Sequence, residues 1–105
     1  MKYSGYIMAR MRYEIHLSPE AVHDLKRLKA AIRVKVMDAL EKHLRYEPAR
    51  VSKSRIKRLR GLSHPQYRLR VGEVRIFYDI RKQAVEVLAI IPKSGAASWL
   101  KEMGE

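Results

Sequence analysis

Two alternating runs flank a two-residue connection. In Tyr67–Val71 the apolar set is Tyr67, Leu69 and Val71; in 74–80 it is Val74, Ile76, Tyr78 and Ile80, with Gly72-Glu73 between. Period-two alternation specifies strands with one buried face, and glycine first in a two-residue connection is the type II′ hairpin signal. Register follows, because a one-residue slip would turn every apolar side chain to water. Val71 should pair with Val74, Arg70 with Arg75, Leu69 with Ile76 and Arg68 with Phe77. Arg70 and Arg75 then stand directly opposite each other with Arg68 diagonal to them, all on the face away from the apolar set. Opposed like charges cost a few tenths to ~1 kcal/mol in a sheet, so stability alone does not select this arrangement. A bound polyanion would offset the cost, since guanidinium forks match phosphate oxygens. The alternatives are that Asp79 or Glu86 neutralises part of the cluster, or that the arginines are solvated on an open face.

The charge distribution supports a polyanion. Of the formal net charge of +12, residues 55–82 supply more than half, with nine Lys/Arg against two Asp/Glu, and residues 83–105 are slightly acidic. Such a potential attracts phosphate backbones, anionic membranes or an acidic protein. Lys57, Arg58 and Arg60 lie just upstream of the hairpin, as substrate-binding candidates.

A chain of 105 residues can bury one modest core. Residues 1–11 read as a lead-in, with Met8 or Met11 as alternative starts, and 12–105 as a single domain. The opening contains no apolar run long enough for a signal peptide or membrane span. The absence of cysteine suits the cytoplasm, and no membrane association is expected.

Elsewhere, 13–17 alternates as a strand. Ser18-Pro19-Glu20 signals a helix start, and Ala21, Val22, Leu25 and Leu28 continue it to about Lys29. Ile32, Val36, Leu40 and Leu44 define a second helix after a very short connection, with Pro48 beyond its end. Residues 49–66 read as a basic loop with a brief strand near Ile56. Val85–Ile91 is a nearly continuous apolar strand, and a short helix should run from about Ala96 to Glu102. The order is β-α-α-β-β-β-α, an α+β domain with an N-terminal helical hairpin and helices on one face of a mostly antiparallel sheet.

LRGL followed by YRLRVGEVRIFYDI, then VEVLAII-PK and a terminal helix, resembles the RelE/ParE superfamily of toxins from type II toxin-antitoxin pairs. The resemblance runs from about Tyr13 to Glu102. It implies a RelE-like fold and a cytoplasmic endoribonuclease that enters the ribosomal A site and cuts mRNA without a cofactor. It also implies a heteromeric complex with a cognate antitoxin, an acidic or amphipathic segment lying across the helical hairpin or the basic face. The family's catalytic basic positions fall on Arg68, Arg70 and Arg75, the basic residue after the last strand falls on Lys93, and the terminal-helix aromatic falls closest to Trp99. RelE carries lysines and a tyrosine where this chain has arginines and a tryptophan. Neither replacement transfers protons readily near neutral pH.

Metal-free RNA cleavage requires deprotonation of the 2′-hydroxyl, stabilisation of phosphorane charge and protonation of the departing 5′-oxygen. Arg68, Arg70 and Arg75 suit the second task. For proton transfer the chain offers Lys93 or His64, and Trp99 would stack a base. Against these stand ordinary roles: Lys93 on the surface, His64 in a loop, Trp99 docking the last helix. His16, His23 and His43 lack metal-ligand spacing, and no metal is expected. Two other functions compete: a ParE-like toxin that binds gyrase without chemistry, and a module that holds nucleic acid without cutting it.

Overall fold

The computed structural model describes residues 11–105; Met8 and nearly all of the expected lead-in lie outside them. The elements are β1 (Glu14–Leu17), α1 (Pro19–Arg27), α2 (Ala30–Ala39) continuing into a π-helical turn (Leu40–Leu44), β2 (Ile56–Arg58), β3 (Tyr67–Val71), β4 (Val74–Arg81), β5 (Ala84–Pro92) and α3 (Lys93–Met103). They form one five-stranded sheet in the order β1-β5-β4-β3-β2. The β3–β4 register is the expected one, Arg70 opposite Arg75 included. Gly72 sits at φ +58° while Glu73 keeps a negative φ, as a type II′ turn requires. β1 joins β5 in parallel and the other neighbouring strands pair antiparallel, so the sheet is mostly antiparallel, as expected.

The α1 start is fixed by its sequence. Ser18 Oγ accepts from the Ala21 N–H at 3.0 Å and donates to the Leu88 carbonyl at 3.1 Å. Leu88 is the extra residue of a β-bulge, since Phe77 pairs with Ala89 and Tyr78 with Val87. Asp24 accepts from the Ile90 N–H on the far side of that bulge, so the irregularity in β5 seats α1. At the other end of α1, Arg33 reaches back from α2 and donates to the carbonyls of Leu25, Lys26 and Leu28 at 3.3, 3.3 and 2.8 Å. The Leu25 carbonyl also accepts from the Leu28 N–H at 3.2 Å, and the other carbonyls are of the kind a helix end leaves open; a cation there complements the dipole. Arg33→Ala should lower stability by about 1 kcal/mol, read as a lower urea midpoint at unchanged slope.

Between the helical hairpin and the sheet lies the main core, built from Val36, Leu40, Leu44, Leu69, Ile76, Tyr78 and Val87 among others. Tyr78 is fully buried and its hydroxyl donates to the Pro48 carbonyl at 2.6 Å. Burial pushes that phenol well above its ordinary pKa. Tyr78→Phe should cost about 1–2 kcal/mol in thermal unfolding, because the Pro48 acceptor is left unpaired. Of the predicted second-helix stripe, Val36, Leu40 and Leu44 are buried but Ile32 is 39% exposed; Val34 and Met37, outside that stripe, are more exposed still.

The expectation of helices on one face only is corrected by α3. It begins at Lys93, directly after β5, and folds back across the opposite face, where Trp99 stacks on Phe77 with centroids 4.9 Å apart and planes 12° off parallel. Arg75, Phe77, Asp79 and Ala89 are consequently buried. The helix starts three residues before the expected Ala96, so Ser94 and Gly95 lie inside it. Among the described residues no helix is long and apolar enough to cross a membrane.

Candidate nucleic-acid interface

On the β2–β3 side of α3 a cavity of about 580 Å³ opens. Lys57, Arg58 and Arg60 enter from β2 and its extension, Arg68 from β3, Arg75 from β4 and Lys93 from the first turn of α3. Phe77 and Leu100 supply apolar surface, and Ala96 and Ala97 keep the α3 wall thin. Lys93, Ala96, Ala97 and Leu100 share one helical face by their i, i+3, i+4, i+7 spacing. That spacing is the signal in the sequence that marks Ala96, Ala97 and Leu100 as one wall with Lys93.

The cations are positioned rather than loose. Arg75 donates to the Gly72 and Val74 carbonyls at 2.8 and 3.1 Å, which anchors its guanidinium on the hairpin turn. Arg58 donates to the Gln66 carbonyl at 2.8 Å and lies 5.2 Å over the Tyr67 ring. Arg68 Nε is buried and, among the described residues, has no acceptor. Burial, then the charges of Arg75 and Arg70, hold the Arg68 pKa below the ordinary arginine value. A buried donor without an acceptor costs free energy, and an anion in this cavity would remove that cost. Lys93 is exposed at the positive end of α3, which has no side-chain cap.

The carboxylates named as alternative partners of the cluster do not neutralise it. Asp79 is taken by His64 Nδ1 at 2.7 Å and by the Gln66 N–H at 2.8 Å, and Glu86 lies 3.6 Å from Arg81. Among the described residues no carboxylate pairs with Arg68, Arg70 or Arg75. Arg70 is exposed and does not line the cavity. It stands opposite Arg75 in the ladder, but the Arg75 side chain turns back to the hairpin carbonyls. His64 lies outside the arginine cavity, in a hollow it shares with Asp79 and Trp99. Trp99 has one face of its indole committed to Phe77 and lines that second hollow. Among the described residues no three His, Asp or Glu side chains are grouped to hold a metal.

The comparisons place this chain, with its hairpin-borne arginine cavity walled by a C-terminal helix, among the small toxins of type II toxin-antitoxin systems. The family model for the ParE toxin of type II toxin-antitoxin system, parDE, matches residues 15–96. The chain therefore belongs to the ParE toxin family, within the RelE/ParE superfamily. In fold it is similar to RelE in the RelBE2 toxin-antitoxin complex of Mycobacterium tuberculosis, with 26% identity, 77% of this chain and 98% of that one covered, and a TM-score of 0.67. It is likewise similar to the archaeal RelE–RelB complex of Pyrococcus horikoshii OT3, with 24% identity, 79% and 97% covered, and a TM-score of 0.65. A mutant of Escherichia coli RelE in the free state shares the fold at 19% identity, with 89% and 99% covered and a TM-score of 0.64. Comparison with curated protein sequences gives no match.

Proposed function

We propose that this toxin is a ribosome-dependent endoribonuclease that cuts mRNA in the A site and halts translation. The observation that carries the reading is the Arg68 Nε–H, buried without an acceptor beside Arg75 in a cavity with no lining carboxylate. A scissile phosphate seated there receives the Arg68 and Arg75 donors as phosphorane charge develops. Lys57, Arg58 and Arg60 hold the flanking backbone, and Arg70 strengthens the surrounding potential. Lys93 protonates the departing 5′-oxygen, and Trp99 stacks a base through the face that Phe77 leaves open. No imidazole or carboxylate lines the cavity. The acceptor for the 2′-hydroxyl proton then comes from water or from the ribosome, which makes the isolated toxin a poor nuclease on free RNA. The test is primer extension on messages in stalled ribosomes: new ends within the A-site codon, and none on the same message without ribosomes, are expected. Intact message under both conditions refutes the reading.

A second reading is favoured by the family model, which is of ParE type, together with the absence of an acid–base pair in the cavity. A ParE-like toxin would inhibit DNA gyrase by binding alone, and loss of supercoiling with intact message would establish it. Either toxin requires an antitoxin. The RelE neighbours from P. horikoshii and M. tuberculosis are each solved with one, and the exposed Val34 and Met37, three residues apart on α2, offer an amphipathic segment an apolar patch on the helical hairpin. A co-encoded acidic partner should co-purify with the chain and raise its unfolding temperature with concentration.

A further inference from the structure

Two more concave surfaces follow in series from the arginine cavity, the first adjoining it and the second adjoining the first. One of about 630 Å³ shares Lys57, Arg58, Leu59 and Arg60 with it and runs along β2, the edge strand of the sheet, to Val51, Ser52 and Lys53. The other, of about 350 Å³, opens between the π-helical turn and the segment leading into β2, and it meets the first at Ser52. Lys42, His43, Arg50 and Arg55 line it. Its geometry is set by local structure. Buried Leu40 and Leu44 anchor the π turn, which leaves Lys42 and His43 on the outer side. Ser52 Oγ accepts from the Arg55 and Ile56 N–H groups at 3.0 and 3.2 Å, fixing the approach of Arg55. Burial, then the charges of Arg55 and Lys42, hold the His43 imidazole below its ordinary pKa, a sign of how closely these groups converge. Among the described residues that line the three surfaces the one carboxylate is Glu47, 3.3 Å from Arg50.

We infer that Lys42, His43, Arg50 and Arg55 form a second phosphate-binding site, occupied by the same RNA strand whose other phosphates lie in the arginine cavity, the strand passing round the β2 edge. The inference rests on the RNA reading above and extends it to a face away from the chemistry. A concave strip of cations continuous over two faces matches a polyanion that bends round an edge. A compact anion would need only one of the three hollows.

The test is fluorescence anisotropy of labelled single-stranded RNAs of ~4 and ~20 nucleotides across a salt series, lengths that fill one hollow or span all three. The proteins are the wild-type chain, Arg68→Gln, and the triple variant Lys42→Gln/Arg50→Gln/Arg55→Gln, whose changes are all at exposed positions. Losing three phosphate contacts should weaken the long strand about tenfold at low salt and reduce its log–log salt slope by about 2. The short strand should bind the triple variant as it binds wild type, while Arg68→Gln should weaken both strands. A triple variant that keeps wild-type affinity and slope for the long strand overturns the second site and leaves the arginine cavity standing. Equal weakening of the short strand overturns it too, because the residues would then act through the cavity. Failure of wild type to bind either RNA overturns the RNA reading together with the inference.

Discussion

Arg75→Ala should lower A-site cleavage by about 10²–10³-fold, the usual loss when one preorganised donor to a developing oxyanion is removed. Arg68→Ala should fall in the same range. Their double variant should lose far less than the product, because the two guanidiniums act on one phosphate. Arg75 is the sharper test, since its donation to the Gly72 and Val74 carbonyls aims the guanidinium before substrate arrives. Arg75→Lys keeps a charge but not the planar fork, and should recover only part of the rate. Removing the guanidinium also frees two turn carbonyls, so stability should drop by about 1 kcal/mol. Thermal unfolding of the same preparation separates that loss from the kinetic one. Cleavage within a few-fold of wild type in a folded Arg75→Ala protein would sink the catalytic assignment.

The hairpin that carries these arginines was legible because two physical rules coincide in it. Alternation fixed the faces, and the Gly72-Glu73 turn fixed the register, so every pairing from Arg68–Phe77 to Val71–Val74 appears as read. What the rules could not supply was the cover on the polar face. Period two marks which side chains point away from the main core, not whether a second layer packs there. The signal was Phe77, an aromatic among arginines on a face read as open, and Trp99 is its partner. The bulge at Leu88 was hidden for a related reason: in a nearly continuous apolar run nothing in the sequence shows a skipped pairing. The π turn at Leu40–Leu44 left no mark either, because Val36, Leu40 and Leu44 fit an α-helical stripe as well. Lys57, Arg58, Arg60, Arg68 and Arg75, singled out by charge, and Lys93, singled out by the family resemblance, line one cavity whose existence the sequence did not reveal. Arg70, grouped with them on the hairpin, lies outside it, and sequence alone cannot tell that the opposing arginine bends back to its own turn.

Phe77→Ala should lower stability by about 3–5 kcal/mol, the cost of deleting a fully buried phenyl ring and leaving its cavity. For a domain whose whole stability is ~5–15 kcal/mol, that loss brings unfolding close to working temperature. The effect should be uneven. The main core lies on the other side of the sheet and does not contain Phe77. By contrast, α3 buries no residue fully and rests on the sheet through the Trp99–Phe77 stack. Its far end is pinned by Glu105, whose backbone pairs with Ser63 and His64. Amide exchange in Phe77→Ala should therefore show α3 unprotected while β3 to β5 keep slow exchange, the pattern of a unit that opens before the whole. A Phe77–Trp99 double-mutant cycle should return ~0.5–1.5 kcal/mol for the stack itself. Because Lys93, Ala96, Ala97 and Leu100 wall the arginine cavity, detachment of α3 should also abolish cleavage while Arg68 and Arg75 stay in place on their strands. Loss of activity with α3 still protected would mean that Phe77 acts on the bound RNA directly. Loss of protection throughout the sheet would mean that α3 is part of the global folding unit and cannot open alone.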